Sequence, residues 1–386
     1  MKRTIYIVGF LFSFSTAIAA YVNSSFIESI GGKNSAGILY AISAALGIYI
    51  LSHASKIIGR IGARTFFVTF ALIQALALVV LIAPFPLEMR MVAFTVYLTA
   101  IFPLLFCLDV FFQHVVPHRS RGKMRGLFLL LINLAWLCGP ITSAYLKDSF
   151  DFAGIYTGVC IVLLSALCLV AIGLAKYTDA EYKTNEDEKT FLRAFKEKKF
   201  RPVIFCNFLL QFFYACMVIY SPIYLHDYLA FSWDSIAIVF TIMLSAFVVL
   251  DYPLGKFADW LGSEKEFTVI GFVCMALSVF GIFFAHTPSV LTIAGLLLLS
   301  RIGAATVEAM TEIHFFKIAK DFDPGILSVF RDLYPASYII APLFGTIIIA
   351  FLPFRSIFGI LGIVLLFGII VAFFLEKKSE WWVRSH

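Results

Sequence analysis

Two segments decide the architecture: GLFLLLINLAWLCGPITSAYL at 126–146 and SVFRDLYPASYIIAPLFGTII at 328–348. Laid over each other, Gly126, Ala135, Gly139, Pro140 and Ser143 fall on Ser328, Ser337, Ala341, Pro342 and Gly345 at a constant offset of 202, and every one is small or proline. A second correspondence has almost the same offset, 203: Ser52-x3-Lys56-x2-Gly59-Arg60 returns as Gly255-x3-Asp259-x2-Gly262-Ser263. Agreement between two separate patterns indicates an internal repeat of about half the chain.

Composition says what kind of halves these are. The chain has 386 residues, 61% hydrophobic and only 14% charged, with a mean hydropathy of +0.94. A water-facing domain carries about 25% charged residues, so this chain cannot coat itself for water, and its 43 Phe suit contact with lipid. Inside a bilayer every backbone polar group must be paired, which permits helices or closed barrels. The apolar runs are unbroken over about twenty residues rather than alternating, which selects helices. Twelve are expected: 5–27, 35–55, 64–83, 89–115, 124–146, 154–175, 202–225, 233–256, 266–286, 290–316, 325–351 and 354–375. The fold class is an all-α integral membrane protein of two six-helix halves related by a pseudo-two-fold axis. The domains are 1–175, a linker 176–201, 202–376 and a tail 377–386.

The first run also reads as a secretory signal, with Lys2 and Arg3, an apolar stretch and Ala17–Ala19. Apolar residues continue through Tyr21 and Val22, and only an intact first helix gives equal halves, so retention is expected. Lys and Arg set the orientation. Loops on the side of Lys2 and Arg3 hold 24 of them, the other side holds Lys33, Arg90, Lys147 and Arg355, and Arg301 and Arg331 lie within runs. Both termini and the linker are therefore expected in the cytoplasm of a plasma membrane of bacterial inner-membrane type. The linker's mixed charge with Phe191, Leu192 and Phe195 fits either an interfacial helix or a solvated tether. All seven Cys fall in apolar runs without paired spacing, as small packing residues. The net charge of +6 sits at helix ends rather than in an aromatic-laced patch, so no nucleic-acid partner is expected.

Charges within spans cost about 2.5–3.5 kcal/mol each, so each needs a reason. The tenth span carries Arg301, Glu308 and Glu312. At 100° per residue both acids lie within about 20° of Arg301, a single charged face about 17 Å long. The fourth span has Asp109 and Gln113, and the seventh has Asn207, Gln211 and Tyr214 on one face, all candidates for a substrate or proton pathway, the last three equally for hydrogen bonds between helices. The first contributes only Ser13, Thr16 and Asn23. Arg301 and Glu308 are the expected binding and proton-coupling pair, the alternative being a permanent ion pair that pins helices. Asp109, Glu312 and His314 lie nearer the cytoplasmic face, where gating or snorkelling is expected. Asp251, Arg331 and Asp332 are expected to gate, and His53 and His114 to pack rather than relay protons.

These features together resemble the major facilitator superfamily. Its loop pattern G-x-x-x-D-x-x-G-R is matched by Gly255, Asp259 and Gly262, with Ser263 in place of Arg, and by Gly59 and Arg60, with Ser52 and Lys56 departing. Gly126, Gly139 and Pro140 are similar to the fifth-span pattern of proton-antiport exporters, though Ala135, Ser143 and Ala144 replace three glycines. The resemblance implies that spans one, four, seven and ten line a central cavity. It also implies that Asp259 latches against the start of the fifth span near Lys123 and Arg125. Lys56 reverses the sign of its counterpart and is expected to meet Asp321, Asp323 or Asp332. Small residues in the fifth and eleventh spans let backbones approach closely.

The expected function is secondary active transport of a small solute by alternating access, proton-coupled and leaning to efflux. An importer of a charged or zwitterionic metabolite and a non-transporting receptor or scaffold are the alternatives. No H-E-x-x-H, G-x-S-x-G or H-x4-D pattern points to an enzyme. No metal or cofactor is expected, only a proton gradient, with lipid, substrate and protons as partners of a monomer.

Overall fold

Prolines, glycines and capping hydroxyls decide where the apolar runs stop being one helix and become the next. The computed structural model describes residues 1–32, 35–115, 121–175, 177, 197–261, 264–318 and 324–375, and among these the regular structure is helical throughout. In order they are α1 (Lys2–Ala20), α2 (Asn23–Gly31), α3 (Ser35–Ile61), α4 (Ala63–Ile82), α5 (Leu87–Val115) and α6 (Arg121–Gly173). There follow α7 (Arg201–Ile223), α8 (Trp233–Leu261), α9 (Glu264–Phe284), α10 (Val290–Ile318), α11 (Pro324–Phe351) and α12 (Ser356–Ala372).

Gly62, at φ 84°, is the whole connection between α3 and α4; that left-handed angle is open to glycine at little cost. Pro86 ends the α4–α5 turn one residue before the helix resumes. The Ser289 hydroxyl accepts the Thr292 N–H at 3.1 Å, capping the start of α10. After Pro222 the seventh helix ends in a π turn, Tyr224–Tyr228. At these four places glycine, proline and serine mark the helix ends.

Ten stretches among the described residues are long and apolar enough to cross a membrane. One of them, within α6, is 47 residues long, far more than one crossing needs. Asp151 breaks it with φ 55° and ψ −161°. That is where the sequence places the turn between its fifth and sixth spans. Lys147 reaches the Asp151 carboxylate and lies 3.9 Å from the centroid of the Phe152 ring, so the turn is held by side chains. The apolar helix Ser356–Ala372 is shorter. The first expected span, 5–27, is interrupted at Tyr21–Val22, and α2 restarts with Asn23, Ser24 and Ser25 buried. Most of the linker, including the candidate interfacial helix, lies outside the described residues.

The chain divides into two compact units. The first comprises Met1–Thr184, Val218–Thr241 and Tyr338–Thr346. In it α1 packs on α6, α4 on α5 and α6, and α3 on α5. The second comprises Asn185–Met217, Ile242–Ser337 and Ile347–His386, with α9 between α10 and α12.

In lipid, helices gain little from apolar burial against one another, so close backbone approach does much of the work. A methyl on Gly139 of α6 would stand 2.7 Å from the backbone carbon and oxygen of Ala17 in α1. Gly303 of α10 and Gly271 of α9 press on each other's carbonyls, at 2.5 and 2.7 Å from such a methyl. On α12 the glycines 362 and 368 form notches for Phe280 and Phe272 of α9. Gly139→Val is therefore expected to destabilise the folded protein by about 1–3 kcal/mol, read as a fall in the melting temperature of detergent-purified protein. Gly59→Ala is the control, because a methyl there meets nothing within 4 Å and the melting temperature should not fall.

Candidate functional site

Within the second unit, two helix faces predicted from spacing meet. Arg301 in the middle of α10 is only 3% exposed, although its guanidinium has five N–H donors to satisfy. It is ringed by aromatic side chains: its guanidinium carbon lies 5.0 Å from the centroid of Tyr214, 5.7 Å from Phe213 and 6.0 Å from Phe247. Ring faces carry negative quadrupole and attract a cation at these distances. Two turns along α10, Glu308 accepts the Tyr214 hydroxyl at 2.8 Å. Tyr214 thus touches the cation with its ring and the acid with its oxygen.

The rest of that α7 face continues the polar line. Gln211 Nε2 donates to Asn207 Oδ1 at 3.3 Å, and Asn207 Nδ2 donates to the Phe330 carbonyl at 3.1 Å. Asn207 is thereby committed to α11 and acts as a tie between helices. Glu312, one turn past Glu308, is half-buried, as is Asp109 on α5 in the other unit.

Towards the end of α10 stands a cluster that the sequence reading did not assemble. His314 Nδ1 is 3.9 Å from Glu264 Oε2, and Lys317 holds the other oxygen of the same carboxylate. Glu264 is almost wholly buried at the start of α9. His314, expected to gate or snorkel, is here part of a tie between α9 and α10. Nothing in the spacing 264 to 314 pairs these residues, because only packing brings the two helix ends together.

In the first unit, ends of helices from both sequence halves close on one another. Tyr220 of α7 is 2% exposed and donates its hydroxyl to the Pro342 carbonyl of α11 at 2.8 Å. Its ring fills the notch left by Gly345, where any Cβ would collide with it. A methyl on Gly37 of α3 would strike Thr346 and come within 3.2 Å of the Pro342 oxygen. Aromatic pairs extend the seal: Tyr40 with Tyr338 at 6.3 Å, Tyr21 with Phe240 at 4.4 Å, and Phe152 with Trp233 at 6.3 Å. These residues come from the ends of α1 and α7, the starts of α3 and α8, the kink of α6 and the later half of α11. Pro342 was predicted as a packing residue from the repeat; Tyr220 and Gly37 carry no signal in sequence.

Other predicted residues fall apart from these sites. Gly139 and Pro140 are buried in α6, with Gly139 against α1. Lys56, Gly59 and Arg60 are exposed at the end of α3, and Asp332 is exposed on α11. Asn23 accepts the Tyr156 hydroxyl at 3.0 Å and is a packing residue of the first unit. The side chains of Gln113, Gly126, Asp251, Gly255, Asp259 and Arg331, and all of Gly262, lie outside the described residues. So do the proposed partners Lys123, Arg125, Asp321 and Asp323.

The model of the Major Facilitator Superfamily matches residues 5–322. No curated protein sequence matches the chain.

Proposed function

The chain belongs to the Major Facilitator Superfamily, a family of membrane transporters, and from that premise we propose a secondary active transporter that moves a small solute by alternating access, driven by protons and directed outward. One observation carries the reading: a buried arginine and a half-buried glutamate share one tyrosine in the middle of an apolar helix. Each such charge costs about 2.5–3.5 kcal/mol to insert, and the family's work supplies the reason to keep them. Glu308 takes up and releases the proton. Arg301, held in low dielectric, sets the field in which it does so.

Twelve crossings in two six-helix halves, 1–175 and 202–376, fit the ten candidate spans once α6 is divided at Asp151 and Ser356–Ala372 is counted. The seal around Tyr220 and Gly345 lies at helix ends that the Lys and Arg distribution assigns to the outside. Gly126, Gly139 and Pro140 support the outward direction through their likeness to the antiporter pattern. The protein works as a monomer in a plasma membrane, without a cofactor.

The direct test is solute flux in proteoliposomes of purified protein, with and without an imposed pH gradient. Flux accelerated by the gradient is the expected result. Flux indifferent to it would remove the proton coupling, and absence of flux for every compound class would favour a receptor or scaffold.

A further inference from the structure

The chemistry that Tyr214 satisfies describes a ligand. Its ring offers a π face to Arg301 at 5.0 Å. Its hydroxyl donates to Glu308 at 2.8 Å. Its edge meets Phe247 at 6.2 Å between centroids and 62° between planes. The two neighbouring charges are opposite in sign, so a cationic ligand would face Arg301 and an anionic one Glu308. What meets both in the way Tyr214 does is neutral, planar and aromatic, with an O–H or N–H donor at its rim.

Burial separates the members of this cluster. Phe213 and Arg301 are buried, at 0% and 3% exposed, whereas Tyr214 and Glu308 are half-buried. Tyr214 is therefore partly exposed, while a hydrogen bond, a cation–π contact and ring contacts with Phe213 and Phe247 hold it. A side chain so placed can leave when a molecule of the same chemistry arrives.

We propose that Tyr214 is a tethered stand-in for the substrate, and that the site between Arg301 and Glu308 takes neutral aromatic molecules bearing a hydrogen-bond donor, of the phenol class. The proposal rests on the reading of this site as the transport pathway. It also supplies a coupling step: a phenol that displaces Tyr214 takes over the hydrogen bond to the carboxylate, so occupancy is reported at the group proposed to carry the proton.

The test is equilibrium binding to the full-length purified protein, by thermal shift and by calorimetry, of p-cresol, p-methylanisole and methylcyclohexanol. The second keeps the ring but cannot donate; the third donates but has no π face. Wild-type protein is expected to bind p-cresol at least tenfold tighter than either. Tyr214→Ala removes the competitor, so it is expected to bind p-cresol about tenfold tighter than wild type. A residue that merely lined the site would give the opposite sign. Tyr214→Phe, which keeps the ring and its packing but gives up the hydroxyl, guards against misfolding of the alanine variant and should show a smaller gain in the same direction.

Equal binding of p-cresol and p-methylanisole to wild type overturns the proposal. So does weaker p-cresol binding by folded Tyr214 variants. Because the readout is binding, the two claims fail separately. Selective p-cresol binding without flux removes transport and keeps the site, while gradient-driven flux without phenol selectivity does the reverse.

Discussion

Glu308→Gln protein in sealed proteoliposomes is expected to lose pH-gradient-driven accumulation by at least tenfold, while exchange of substrate across the same membrane continues within about twofold of wild type. Glutamine matches glutamate in shape, and its amide oxygen can still accept the Tyr214 hydroxyl that now lies 2.8 Å from the carboxylate. It cannot bind or release a proton. Arg301, two turns away and surrounded by Phe213, Tyr214 and Phe247, keeps its ring contacts. The substitution therefore separates driving force from binding. Unchanged gradient dependence would exclude Glu308 as the coupling acid, and loss of exchange as well would show that its charge is needed for occupancy.

Gly345→Ala should be the more disruptive change, although it adds a single methyl. The new Cβ would occupy the space of the Tyr220 ring, and Tyr220 is buried, so it cannot swing aside within the seal. The ring must leave and its 2.8 Å hydrogen bond to the Pro342 carbonyl is lost with it. Overpacking costs about 1–3 kcal/mol and a lost buried hydrogen bond about 0.5–1.5 kcal/mol. Together these weaken the sealed arrangement by about 2 kcal/mol or more, over tenfold in its population.

Transport should fall by a similar factor. A cysteine placed at Ala36, which is 0% exposed beside Gly37, should become reactive to a membrane-impermeant maleimide when the seven native cysteines have been replaced. Tyr220→Ala in the Gly345→Ala background should cost little more, because both changes act on one contact. Unaltered labelling and transport in Gly345→Ala would mean that the seal yields without opening.

Much of this was legible in the residues. Unbroken apolar runs mark helices because lipid offers backbone groups no partner, and the runs fall on the helices with only local revisions. The turn at 147–153 appears as a left-handed Asp151 inside a longer helix. The first run breaks at Tyr21–Val22, where buried Asn23 finds Tyr156, a partner 133 residues on. The charged face of Arg301 and Glu308 and the polar face of Tyr214 follow from 100° per residue. That these two faces meet does not.

The sequence by itself determined the apolar helices and the faces on which charge is carried, because each is a property of consecutive residues in a fixed periodicity. The tertiary structure decided which faces touch. Asn207 became a tie to the Phe330 carbonyl, Glu264 gathered His314 and Lys317, and Gly345 became the notch for Tyr220. Helix packing is set by side-chain shape across long separations, and a notch in one helix says nothing of which ring will fill it until both are folded.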